Sequence, residues 1–289
     1  MGSSPSRTVH REQLLQHLNA LEGERHPFLS RERLEAAQAY VTTQWQSWGL
    51  IVSEDEFSYM GERFVNLIAR PASLPGGPRL IIGAHLDTVP GTPGADDNAS
   101  GVAAMLEASR IVAGSSPLAR PVEFVAFNLE ELGMIGSAHY AMTLRRQKAD
   151  VAGMLSLEMV GFTESQGLQH YPWFLRGRYP AIGNYLGLAA NRHSRSLLDA
   201  VGRAMETVEG LPIETMELPA NGWVFPEARL SDHAPFWDAG FAALLVTDTA
   251  FFRNPHYHQA TDVVKTLDLA FLEKVAQGLV AAIETLSAF

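Results

Sequence analysis

The stretch GAHLDTVPGTPGADDNASG, residues 83–101, gathers His85, Asp87, Asp96 and Asp97 with no lysine or arginine among them. Three further segments repeat the theme. VEFVAFNLEELGMIGS sets Glu130 and Glu131 directly after an apolar run, and MLSLEMVGF sets Glu158 in the same position after another. FFRNPHYHQATD adds His256, Tyr257, His258 and Asp262. The chain has no cysteine, so disulfides, thiolate ligands and a cysteine nucleophile are excluded together, and His, Asp and Glu remain as metal donors. Imidazole nitrogen with carboxylate oxygen suits zinc, with manganese or cobalt as substitutes. Neighbouring carboxylates beyond one strand point in different directions. One of Glu130 and Glu131 can therefore bind a metal while the other stays free as a base.

Taken singly, each motif has an ordinary explanation. A glutamate after a strand is commonly a solvated turn residue, and Asp96 and Asp97 before NASG could cap a helix. His10, His17, His26 and His193 read as surface or structural histidines. The joint occurrence of acids and imidazoles at successive strand ends favours a metal site over these explanations.

The elements that must position those residues alternate. Leu14, Leu15, Leu18 and Leu21 recur at helical spacing, and a second helical run spans 31–48, so residues 1–50 are expected to be packing helices. Strands are expected at 51–57, 64–69, 80–85, 122–127, 153–157 and 242–246, and helices at 100–112, 135–144, 194–208 and 267–286. This alternation implies a three-layer α/β domain around a central sheet, with function gathered beyond the strand ends. Residues 161–192, rich in aromatics, Gly and Pro, break the pattern and read as a loop bordering the site.

At 289 residues and 46% hydrophobic, the chain can bury a substantial core, and a single domain over 1–289 is expected. A net charge of -10 argues against nucleic acid or an anionic membrane as partner. No apolar run approaches the roughly 20 residues of a membrane span. The N-terminal MGSSPSRTVHREQLLQHL has no apolar signal core, so a cytoplasmic location is expected.

Taken in order, HLDT with PGADDNASG, EELGMIGS, LEMVG, SDHAPFWDAG and NPHYHQATD resemble the co-catalytic zinc aminopeptidases of the aminopeptidase Y type, in clan MH. The resemblance implies a mixed sheet of about eight strands flanked by helices and two zinc ions about 3.5–4 Å apart. It implies that His85 and Glu158 hold one zinc, Glu131 and His258 the other, and that Asp97 bridges them. Asp87 would hydrogen-bond the His85 imidazole from behind, and Asp96 is left as a loop or capping residue. Glu130 corresponds to a general base serving a hydroxide that bridges the metals, in an enzyme that hydrolyses the first peptide bond of peptides or aminoacyl compounds. Tyr257 resembles an oxyanion donor of some members, with a packing role as the alternative. Many members carry aspartate where this chain has Glu158, a difference that bears on the affinity of the second metal.

Ser231-Asp232-His233 holds serine-triad residue types, but sequence neighbours cannot converge as a triad requires, so the segment is expected to support the site from behind. Arg253, Tyr171, Trp173, Phe251 and Phe252 are candidates for shaping a substrate pocket or for purely structural roles. A carboxypeptidase or other amidohydrolase remains an alternative, and a single-zinc glutaminyl cyclase a more distant one. The choice between amino- and carboxypeptidase turns on whether the pocket pairs with a free amine or a free carboxylate.

Overall fold

A computed structural model describes residues 8–73, 75–115, 118–166 and 169–288. Residues 1–7, within the N-terminal segment read above for a signal core, and residues 167–168, within the 161–192 stretch, lie outside the described residues.

Eight strands form one mixed sheet: β1 (Ile51–Tyr59), β2 (Glu62–Arg70), β3 (Arg79–His85), β4 (Val122–Phe127), β5 (Val151–Glu158), β6 (Leu186–Asn191), β7 (Ile213–Leu218) and β8 (Ala243–Thr247). Their spatial order is β1-β2-β4-β3-β5-β8-β6-β7. The four central strands β4, β3, β5 and β8 are mutually parallel, so their C-terminal ends share one edge of the sheet. These strands are buried on both faces, which explains their near-continuous apolar runs. Antiparallel β2 and β1 extend the sheet on one side. On the other side β6 lies antiparallel to β8, and β7 lies parallel to β6.

Alternation along β3 builds both hydrophobic layers. Leu80, Ile82 and Ala84 enter one core with residues of α1 (Arg11–Leu21), α2 (Arg31–Ser47), α3 (Gly101–Ala113), α5 (Arg195–Met205) and α7 (Leu269–Leu286). Ile81 faces the other, which Tyr140 of α4 (Ile135–Arg146) and Phe236 of α6 (His233–Asp238) help to fill. The expected α/β architecture and the eight-stranded mixed sheet are both present. The N-terminal helices belong to the first core through Leu14, Leu18, Leu34 and Trp45.

Two strands and one helix depart from the expectation. Residues 186–191, assigned to the irregular 161–192 stretch, form β6, because LGLAAN buries small residues between two neighbours and needs no β-branched run. β7 and the six-residue α6 were also not anticipated, since each is short.

A buried arginine underlies the acidic loop. The loop itself carries no cation, but Arg25, from the turn between α1 and α2, donates Nε to Leu86 O at 2.7 Å and Nη2 to Gly94 O at 3.0 Å. Its Nη1 reaches the carbonyls of Leu21, Gly23 and Pro93. Burial lowers its pKa to about 10, and the charges of Asp97, Asp262 and Asp87 work against that shift, so the guanidinium stays charged at neutral pH. Arg25→Met strips donors from buried carbonyls and a cation from beneath three acids. The expected cost is roughly 3–5 kcal/mol, read as a lower midpoint in urea unfolding. A midpoint unchanged from wild type would show that the clamp contributes nothing.

Candidate metal centre

The donor residues come from the C-terminal ends of the parallel strands. His85 is the last residue of β3 and Glu158 the last of β5. Their strands pair at Gly83↔Ser156, so the two ends lie side by side. Glu130 and Glu131 follow β4 after Leu129, which adopts φ 58 and turns the chain sharply enough to separate their directions. His258 lies in the loop after β8, with φ 57.

Asp97 is held by a stitched loop. The peptide N–H groups of Asp96 and Asp97 donate to the two carboxylate oxygens of Asp262 at 2.9 and 3.1 Å. Asn98 donates to Leu157 O at 2.7 Å and accepts from the Met159 N–H at 3.1 Å, tying the loop to the end of β5. Gly101 opens α3 against this tie, where a Cβ would sit 2.4 Å from Asn98 Oδ1 and 2.8 Å from Leu157 O. No residue but glycine fits there.

The Asp97 carboxylate faces two groups at once. Oδ1 lies 3.2 Å from His85 Nε2, which is 3.4 Å from Glu158 Oε2. Oδ2 lies 3.2 Å from His258 Nε2, which is 3.2 Å from Glu131 Oε2. His85, Asp97 and Glu158 thus form one donor triad, and Asp97, Glu131 and His258 a second. Asp97 Oδ1, Glu131 Oε1 and His258 Nε2 are buried and make no aligned hydrogen bond. Short separations without alignment mean that these atoms face common points in space and not one another. Separations of this size match the edges of a tetrahedral site with ligand bonds of about 2.0–2.1 Å, so the residues present fit a zinc-type ion.

Electrostatics agree with that fit. Burial pushes Glu131 up to about 7, helped by the charge of Asp97. Burial likewise raises Glu158, and it raises Glu130 well above the usual carboxylate range, where the charges of Glu158 and Asp232 add to it. Burial opposes protonation of His258, but Asp97 and Glu131 overcome it and lift the imidazole to about 10. In the same way the surrounding carboxylates hold His85 well above its ordinary value despite burial. Asp97 is held far below its usual range by the two imidazoles, against its own burial. Five carboxyl groups around two histidines therefore call for added positive charge.

Two sequence-based assignments change. The Asp87 carboxylate does not hydrogen-bond the His85 imidazole: Oδ1 is 3.7 Å from Nδ1, and the backbone carbonyl of Asp87 faces that nitrogen at 3.1 Å. The carboxylate instead accepts the peptide N–H groups of Glu130 and Glu131 at 3.0 and 3.1 Å, since both amides are exposed by the turn after β4. Asp87 thus orients the glutamate pair. Asp96 is no cap: its side chain is buried and accepts from Gly161 N–H at 3.0 Å and Asn254 Nδ2 at 2.6 Å, drawing the loops after β5 and β8 together.

Ser231 supports the centre from behind, donating to Glu158 Oε2 at 2.8 Å. Asp232 is buried beside it, and His233 Nε2 meets Ala228 O at 2.8 Å, away from the donors. Tyr257 stacks on the His258 ring at 3.7 Å between centroids and, with Tyr171, Phe251 and Phe252, lines a cavity of about 310 Å³ that opens from Glu130, Glu131 and Glu158. Trp173 is 82% exposed and lies outside that lining, and Arg253 is buried behind it. Asp262, Asn98 and Arg25 were missed as positioning residues. Asp262 stood within a quoted motif, whereas Arg25 gave no local signal.

A mixed sheet that delivers imidazole and carboxylate donors from the ends of its parallel strands defines an α/β protein with a candidate metal centre. The chain belongs to peptidase family M28, whose family model matches residues 66–283. It is 32% identical to the protein YfbL of Escherichia coli, over 86% of this chain and 79% of that protein. It is 28% identical to the aminopeptidase YwaD of Bacillus subtilis, over 75% of this chain but only 43% of that one. Among solved structures, the LapA aminopeptidase of Legionella pneumophila superposes with a TM-score of 0.78 at 19% identity, covering 97% of this chain and 73% of that chain. BSAP, a zinc aminopeptidase from Bacillus subtilis, is 25% identical with a TM-score of 0.58, covering 78% of this chain and 50% of the other. The glutaminyl cyclase of Porphyromonas gingivalis shares the fold, with a TM-score of 0.72 at 18% identity over 98% of this chain and 99% of that one.

Proposed function

We propose that this protein is a zinc aminopeptidase of the co-catalytic type, releasing the first residue of peptides with a free amino terminus. One observation carries the choice of terminus. The cavity beside the two donor triads is lined by Asp97, Glu130, Glu131, Glu158, Glu214 and Glu227, with no lysine or arginine among the described residues. Asp97, Glu131 and Glu158 are taken up as metal donors, but Glu130, Glu214 and Glu227 remain. The cavity wall offers no protein cation to pair with a terminal carboxylate, whereas a terminal ammonium is attracted to the remaining acids. This disfavours a carboxypeptidase. Likeness to a glutaminyl cyclase, at 18% identity, speaks only to the fold.

In this reading His85, Asp97 and Glu158 hold one zinc and Asp97, Glu131 and His258 a second. Zinc supplies Lewis acidity toward the attacking water and the scissile carbonyl. Glu130 accepts the water's proton and returns it to the leaving amine, held in place through its peptide N–H by Asp87. Tyr257 keeps its phenolic proton, because burial and the nearby carboxylates raise its pKa, and it donates to the developing oxyanion. The test is a panel of aminoacyl-p-nitroanilides assayed free and N-acetylated. Acetylation is expected to lower kcat/KM at least about 100-fold, since it removes the ammonium that the acid ring recognises. Equal cleavage of blocked and free substrates would overturn the assignment.

A further inference from the structure

We propose that the end of the cavity remote from the donor triads is a subsite for the side chain of the substrate's first residue, and that Glu214 makes it select lysine or arginine. The proposal rests on the aminopeptidase reading above for the placement of the scissile bond.

The floor of the cavity is the sheet itself. Glu158 pairs with Thr247, Thr247 with Gly187, and Gly187 with Glu214, which sets the four in one row on one face across β5, β8, β6 and β7. Three strand spacings put the Cα of Glu214 about 14 Å from that of Glu158. The next row runs Ser156, Leu245, Ala189 and Met216. Gly187 contributes no side chain and Ala189 only a methyl, so the floor stays low between the donor residue and the acid. An extended lysine or arginine side chain, roughly 6–7 Å long by ordinary bond lengths, spans much of that interval.

Glu214 has no partner of its own. Among the described residues its carboxylate makes no hydrogen bond or ion pair, and burial alone raises its pKa. Glu217, on the opposite face of the same strand, behaves as an ordinary surface acid and pairs with Arg192 at 3.5 Å and Arg195 at 3.1 Å. Around Glu214 the walls are aromatic. Tyr171 and Tyr179 stack at 6.0 Å between centroids, and burial together with the charge of Glu214 raises the Tyr179 phenol above its usual value. Arg253 does not fill this role: it is outside the lining, stacks on Tyr185, and spends Nε and Nη1 on Gln169, Phe162 and Tyr185. An unpaired carboxylate beside tyrosine rings in a largely apolar cavity suits a long aliphatic stem with a cationic tip.

The test separates this subsite from the reaction. Lysinol and norleucinol differ in the terminal cation and carry no bond to cleave, so calorimetry reads the subsite without turnover. Lysinol is expected to bind wild-type protein about tenfold or more tightly than norleucinol, and Glu214→Gln to abolish the difference. The ratio of kcat/KM for lysyl- over norleucyl-p-nitroanilide should fall by a similar factor in Glu214→Gln. Equal binding of the two alcohols by wild type would overturn the proposal, as would a preference that survives Glu214→Gln. Selective lysinol binding without cleavage of any aminoacyl anilide would uphold the subsite while refuting the aminopeptidase reading.

Discussion

Replacing Glu130 with glutamine is expected to lower kcat by about 10²- to 10⁴-fold, the range in which a positioned general base contributes. The substitution keeps the shape and the peptide N–H that Asp87 holds, so zinc content should match wild type. Stability should stay level or rise. In the metal-free protein, burial and the charges of Glu158 and Asp232 make an ionised Glu130 unfavourable, and a neutral amide relieves that repulsion. With metal bound the added positive charge offsets it, and the melting temperature should stay level. Loss of turnover with full metal content and an undiminished melting temperature is the signature of a base and not of a ligand. Retention of more than a tenth of wild-type kcat would remove Glu130 from the reaction, and loss of zinc would make it a ligand.

The signature depends on a division between Glu130 and Glu131 that their adjacency left open and the family resemblance assigned. Acids directly after apolar runs stand out, because a strand buried on both faces leaves little else to write in its final positions. His85, Glu130, Glu131 and Glu158 were visible for that reason. The interactions that aim them were not. Asp87 was expected to act through its nearest neighbour, His85, but its carboxylate reaches across to amides 43 and 44 residues away. Asp262 holds the Asp97 loop from 165 residues away, and Arg25 grips the same region from beside Glu24, where it reads as half of a solvated charge pair. Strand β6 escaped for a different reason. Its glycine and alanines lack the β-branched bulk that marks a strand, and the same small residues leave the cavity floor low.

Removing the metal is expected to abolish activity and to lower the melting temperature, by an amount that grows with pH. Zinc present at about 1,000 times its Kd stabilises by about 4 kcal/mol, or roughly 8 °C for a chain of this size at about 2 °C per kcal/mol. The pH trend follows from the protonation each state requires. In the metal-free protein Glu131 titrates near 7, above its ordinary value of 4.5, so its contribution to stability is present below pH 4.5 and is lost as pH rises toward 7. His258 titrates near 10 against an ordinary 6.5; its contribution is intact below 6.5 and disappears as pH rises through 10. Both groups weaken the metal-free fold in the same direction. Zinc reverses the requirement, because it binds carboxylate and neutral imidazole, and its affinity climbs as those protons leave. The gap between zinc-loaded and chelator-treated melting temperatures should therefore widen from pH 5.5 to pH 8.5. Groups remote from the centre titrate alike in both samples and cancel in the difference. A gap that stayed constant or narrowed with pH would mean that the two imidazoles and their carboxylates do not meet the metal.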